Sequence, residues 1–264
     1  IELKSNVNLH LDFGTLLLGS TRLSDYDNAF PFKDGSMNQS SGLLFARGQK
    51  NISITGFGTI DGQGGSKTFQ FGNDADGGPK RPKIIYFVEC KGIVVTDVTL
   101  RNSAYWVQHY EKCEDVTIRG LKVFSHCNYN NDGLDIDAKN ATISDCYIDV
   151  EDDAICFKSD HPEFCENITV TNCVTASNCN AIKFGTASHG GYRNIAVSNC
   201  VVRRAAEDNI RHWSKQLEHI SADVTVISGV AIEMVDGGII DGITVSNISM
   251  RDVQTPIFIR LGDR

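Results

Sequence analysis

Residues 167–174 read NITVTNCV, and close variants of these words return along the chain: NISITG from Asn51, GIVVTDVTL from Gly92, DVTIRGLKV from Asp115, NATISDCYI from Asn140, NIAVSNCVV from Asn194 and GITVSNISM from Gly242. Each opens on Asn, Asp or Gly, alternates Val or Ile with a polar or small residue, and meets a second polar residue before another short apolar run. The equivalent core positions are Ile93, Val116, Ala141, Ile168, Ile195 and Ile243, at steps of 23, 25, 27, 27 and 48. The last step reads as two turns of about 24. A period of about 20–50 residues marks a solenoid. Alternation every second residue marks strands, and helical periodicity is absent. These features predict an all-β fold: a single-domain right-handed parallel β-helix of about ten coils over residues 1–264, each turn ~4.8 Å above the last. A Gly-rich, charged loop is expected near residues 68–81. An off-period insertion is expected at about 203–223.

Several residues need no function on this reading. Asp145, Asn172, Asn199 and Asn247 recur at one turn position, where Asn and Asp tolerate left-handed backbone and can form side-chain ladders. Cys146, Cys173 and Cys200 follow them and are expected to stack inward; Cys90, Cys113 and Cys165 recur at a second turn. With no CxxC or Cys/His ligand spacing, the nine cysteines are expected to be reduced core residues rather than metal ligands. The sequons at Asn51, Asn140, Asn167 and Asn247 recur because the repeat does.

The chain is 41% hydrophobic and 22% charged, enough for a sizeable core, and its formal net charge of −8 argues against nucleic acid or an anionic membrane as partner. No run approaches the ~20 apolar residues of a membrane-spanning helix. The sequence begins at Ile1 in strand-like residues, IELKSNVNLHLDF, so the true N-terminus is expected to have been either processed or left out of this sequence.

Two stretches break the apolar pattern. NNDGLDID from Asn130 and EDDAICFKS from Glu151 place carboxylates beside strands, where Asp is a poor fit. Aligning successive coils sets DGLDI from Asp132, DAICF from Asp153, NAIKF from Asn180 and GVAIE from Gly229 at one edge. Asp132, Asp153 and Asn180 then stack, with Asp152 beside them, and neighbouring carboxylates fall roughly 5 Å apart. Like charges so close cost stability and raise at least one pKa, which proteins tolerate at functional sites. Such a cluster suits glycoside hydrolysis, in which one acid protonates the leaving oxygen and another carboxylate activates water or attacks. A calcium site or a solvated acidic edge is the bland alternative.

These residues also resemble glycoside hydrolase family 28, the polygalacturonase family of pectin hydrolases. The resemblance rests on GTIDGQG at Gly58, RNSAYW at Arg101, NNDG at Asn130, DDAICFKS at Asp152 and MRDVQTPIFI at Met250. It implies a parallel β-helix, a polysaccharide or oligosaccharide substrate, secreted or periplasmic location, and single displacement with inversion. Asp152 would be the general acid; Asp132 and Asp153 would position and deprotonate the water. No metal or cofactor is implied. A spacing near 5 Å would by the general rule suggest retention, whereas the resemblance favours inversion.

The departures bear on substrate. Where the family has a G-H-G element this chain has Cys179-Asn180-Ala181, so Asn180 replaces the histidine. The family's R-I-K element aligns either with Asn209-Ile210-Arg211 or, preferably, with the stretch holding Ala231 and Glu233, which removes a cationic pair and makes plain polygalacturonate an expected poor substrate. Lys158 is a candidate contact to a substrate carboxylate or to Asp153. Lys183, which replaces an uncharged family position, and Asn180 are candidate substrate contacts too, and His189 in TASHGGYRN is a candidate stand-in for the missing histidine. Arg260 and Glu233 flank the far end of the cleft. Basic residues of the insertion, Arg203, Arg204, Arg211 or Lys215, could fold over it. Tyr105 could stack on a sugar, and Trp106 is expected in the core. A β-helix lyase or a non-catalytic carbohydrate-binding solenoid would share the fold.

Overall fold

In the computed structural model the register follows the repeat. The structure describes residues 1–26, 30–31, 37–38, 41–69, 81–206 and 226–263; the Asn209–Arg211 alternative, Arg211, Lys215 and most of the expected loop and insertion lie outside them. Ile93, Val116, Ala141, Ile168, Ile195 and Ile243 are successive parallel partners. One position along the same face, Leu9, Ile54, Val95, Ile118, Ile143, Val170, Val197 and Val245 form a continuous inward column. A second face stacks Leu17, Ile60, Leu100, Val123, Ile148, Thr175, Val202 and Met250. A third stacks Ala46, Phe87, Tyr110, Ile136, Phe157, Phe184, Ile232 and Ile259. The protein is a three-faced, right-handed parallel β-helix.

Each column has eight members, so the described residues make eight coils rather than about ten. The step of 48 is one coil, not two, because Ile195 pairs directly with Ile243. Phe184 likewise pairs directly with Ile232 and Val202 with Met250, so these strands are neighbours in successive coils. The last described residues before 207 are anchored: buried Asp149 accepts from Arg203 Nη2 at 2.8 Å and from the Ala206 amide at 3.0 Å, and meets His126 Nε2 at 2.8 Å. Arg203 is thereby held away from the cleft.

The corners explain the polar residues of the repeat. Asn51, Asp115, Asn140, Asn167 and Asn194 have φ of 53–59°, as do Asp145, Asn172 and Asn199 at the next corner. Left-handed backbone is cheapest for Asn, Asp and Gly. The side chains also join coils: Asn167 Nδ2 donates to Asn140 Oδ1 at 3.1 Å, Asn194 to Asn167 at 2.8 Å, and Asn172 to Asp145 at 3.3 Å. Three of the sequon asparagines, Asn51, Asn140 and Asn167, belong to one ladder, and Asn247 to the other. All nine cysteines are free, eight of them buried. Cys146, Cys173 and Cys200 stack as the repeat predicts.

Candidate active site

The corner that enters the third face carries the acidic residues. Leu134 pairs with Ile155 and Ile155 with Ile182, which sets Asp132, Asp153 and Asn180 level, two residues before each. The next coil differs by one residue from the expected alignment: Asn180 pairs with Ser228, not Gly229. The turns are tight. Gly133 N donates to Asp153 O at 2.8 Å, and a Cβ at Gly133 would sit 2.6 Å from Ala154 O and 2.5 Å from Ile148 Cγ2. That contact explains the glycine after Asp132.

Asn131 was not singled out by sequence, yet it fixes this corner. Its Oδ1 accepts from Ser125 Oγ at 2.9 Å, and its Nδ2 donates to Ser103 O at 2.9 Å and Tyr105 O at 2.8 Å. It therefore ties the loop bearing Tyr105 and Trp106 to the turn bearing Asp132. The GTIDGQG and RNSAYW motifs meet nearby, where Asp61 accepts from Arg101 Nε at 2.8 Å. Ser177, also missed, donates to Asp152 O at 2.6 Å and accepts from the Cys179 amide at 2.7 Å, bracing the two turns.

The side chains converge on a cleft of about 730 Å³, lined by Tyr105, Trp106, Asp132, Asp152, Asp153, Lys158, Asn180, Lys183, Glu233, Phe258 and Arg260 among others. Trp106 is a wall of this cleft rather than core: it stacks on Tyr105, and Lys158 Nζ lies 4.5 Å from its ring centroid. His189 does not line the cleft. The strand Asn180–Ser188 carries the chain across the third face first, and His189 lies at its far end, 3.9 Å from Asp236.

Asp132, Asp152 and Asp153 are all buried. Oxygens of Asp132 and Asp153 lie within 4.8 Å of each other, as do oxygens of Asp152 and Asp153, so Asp153 is the middle member. Two lysines on outward positions of the floor divide the charges. Lys183 Nζ is 3.0 Å from Asp153 Oδ2 and 3.9 Å from Glu233. Lys158 Nζ is 3.2 Å from Asp135 and 3.8 Å from Asp132 Oδ2. Asp153 Oδ1 also accepts from Asn180 Nδ2 at 2.7 Å. Burial works against ionisation of Asp153, but Lys183, Lys158 and the Asn180 hydrogen bond outweigh it and hold the carboxyl below the usual range. Asp132 is the opposite case. Burial, with Asp135 and Asp152 nearby, pushes it well up, and its buried Oδ1 has no hydrogen-bond partner. Asp135, which the sequence reading passed over, is pushed up to about 7 by burial against the pull of Lys158.

Two donor sets have the number for a metal: Asp132, Asp153 and Cys156, and Asp152, Asp153 and Cys179. They fit one poorly. Burial pushes both thiols well up, so they stay protonated, and the Lys183 ammonium already occupies the cationic position beside Asp153. What the arrangement offers is one fixed carboxylate between two others, one of them pushed toward its protonated form, in a cleft with an aromatic wall.

Comparison with known proteins agrees with the geometry. The profile of glycosyl hydrolases family 28 matches residues 28–261. A probable polygalacturonase of Vitis vinifera is 30% identical over 175 residues, 62% of this chain and 35% of the relative; a polygalacturonase of Saccharomyces cerevisiae is 29% identical over 157 residues, 56% and 41%. The chain thus spans between a third and a half of the length of these relatives. Among solved structures, the Yersinia enterocolitica family 28 exopolygalacturonase superposes with TM-score 0.77 at 19% identity, over 100% of this chain and 53% of that one. The exopolygalacturonase of Thermotoga maritima gives 0.72 at 21% identity, over 100% and 65%. These superpositions show the shared β-helix.

Proposed function

Because the chain belongs to glycosyl hydrolases family 28, we propose that its cleft hydrolyses a glycosidic bond in a pectin-type polysaccharide or oligosaccharide, outside the cell. The observation that carries this reading is the meeting of Asp132, Asp152 and Asp153 in one cleft, with opposite electrostatic surroundings for Asp132 and Asp153. Environments that push carboxyl pKa values apart assign acid and base roles. In the proposed reaction Asp152 delivers its proton to the leaving glycosidic oxygen as the C–O bond breaks. A water attacks the anomeric carbon, Asp153 takes the water's proton, and Asp132 orients the water. Inversion follows from single displacement. On this reading the short Asp132–Asp153 spacing belongs to the carboxylates that share the water, while the acid and base that flank the sugar, Asp152 and Asp153, are also close.

A second reading has a specific observation behind it. The usual spacing for retention is about 5–5.5 Å and for inversion about 6.5–9.5 Å, and both neighbours of Asp153 lie within 4.8 Å of it. Attack by Asp153 on the anomeric carbon would give a retained product. Proton NMR of the first-formed anomer separates the two.

The substrate follows from the cations. Ala231 and Glu233 stand at register positions next to Lys183 and Arg260. Lys158 and Lys183 are occupied by internal carboxylates, so they are not open contacts for a uronate. Among the described cleft residues Arg260 is the cation without a carboxylate partner. A charge-assisted contact to carboxylate contributes about 1.5–3 kcal/mol, and a binding site with one free cation beside Glu233 suits a substrate with fewer carboxylates at that subsite. Rhamnogalacturonan-type or decorated oligosaccharides should turn over faster than polygalacturonate in a reducing-end assay. Faster cleavage of polygalacturonate would refute this substrate assignment.

A further inference from the structure

Lys183 and Asn180, on the strand one coil beyond the paired aspartates, touch the same group. Lys183 Nζ lies 3.0 Å from Asp153 Oδ2, and Asn180 Nδ2 lies 2.7 Å from Asp153 Oδ1, with the Asn180 amide 3.3 Å from the same oxygen. Both oxygens of Asp153 are therefore held from the next coil. The lysine has little freedom: its side chain is 13% exposed and its other neighbour is Glu233.

We propose that Lys183 is a positioning residue: with Asn180 it fixes Asp153 as the anionic partner of the attacking water, one oxygen held by a cation and the other by an amide. The proposal rests on the reading of the cleft as a hydrolytic site. It changes the assignment of Lys183 from a substrate contact to a residue acting through Asp153. It also has a consequence for pH. A lysine loses its charge only near about 10.4, so the support that Asp153 receives from Lys183 persists through neutral and mildly alkaline pH.

The other titratable groups facing Asp153 are Asp132 and Asp152 from the turns, Asp135, Cys156 and Lys158 from the floor, and Cys179 beside Asn180. Lys158 also favours ionisation of Asp153, but it is tied to Asp135 and Asp132. Lys183 is the cation in direct contact.

The test is titration of the Asp153 carboxyl by carbon NMR of aspartate-labelled protein, its signal identified as the one absent in Asp153→Asn. In Lys183→Met its titration should move up by about one to three pH units, the range for loss of an adjacent opposite charge, and Lys183→Arg should restore it. The acid limb of kcat/KM should move the same way. If Lys183→Met does not fold, the double variant Lys183→Met/Glu233→Gln, which removes both charges of that pair, is titrated in its place. An Asp153 titration unmoved by loss of Lys183 overturns the proposal. A wild-type protein that cleaves no glycoside would overturn the hydrolytic reading instead, and the NMR titration would still decide the role of Lys183.

Discussion

Replacing Asp137 by Asn should stabilise the protein above neutral pH and leave it nearly unchanged in acid. Asp137 points outward from the third face but is buried, and its Oδ2 has no hydrogen-bond partner. Burial, reinforced by Asp160 and Glu111 and opposed by His161, raises its pKa from 3.8 to about 7. A raised carboxyl binds its proton more tightly in the folded than in the unfolded chain. Its contribution is therefore full below the unfolded value and is lost as pH rises through the folded value. A shift of this size corresponds to roughly 4 kcal/mol once pH is well above 7, at about 1.4 kcal/mol per pH unit. Asn has the shape of the protonated acid and cannot ionise. Urea denaturation of both proteins at about pH 4 and about pH 8 should show a difference near zero in acid, growing to as much as about 4 kcal/mol in favour of the variant. A variant less stable than wild type at the higher pH, or a difference equal at both, would refute the reasoning.

Asp152→Asn should lower turnover on a poor leaving group by about 10²–10⁴-fold with binding intact, read from kcat and from calorimetric affinity. Asn131→Ala should cost roughly 3 kcal/mol in a denaturant melt, because it removes several buried hydrogen bonds and strands their partners. Thiol titration in denaturant without reductant should count nine free cysteines, and in the folded protein the eight buried ones should react slowly. Four disulfides would contradict the structure.

The repeat was readable because a β-helix writes each coil into the sequence. The αL corners demand Asn, Asp or Gly, and the inward columns demand Val, Ile or Leu, so NITVTNCV and its variants carry both the strand and the turn. The same regularity hides the coil count: a step of 48 residues reads as two turns until Ile195 is seen to pair with Ile243. The acidic turns were legible as breaks in the apolar pattern. Asp135 and Asp137 are visible in the same words, LDID, as alternate residues on the outward side of a strand, but alternation alone does not say that this side is buried. Asn131 and Ser177 act through backbone carbonyls and amides, which no side-chain motif specifies. The partners of Lys183 depend on which residues lie one coil away, and a one-residue error in the Ser228 register is enough to blur them. Trp106 was placed in the core because large aromatics usually are; here two aromatic residues in sequence, Tyr105 and Trp106, stack to form a wall instead.

The most direct test of three-carboxylate hydrolysis is to cleave a pectic oligosaccharide in heavy-oxygen water and weigh the products. Hydrolysis predicts one labelled oxygen per new reducing end, no unsaturated sugar, and loss of both products in Asp153→Asn. Unsaturated, unlabelled fragments would mark a lyase, and labelled products formed equally well by Asp153→Asn would show that the carboxylate cluster is not where the bond is broken.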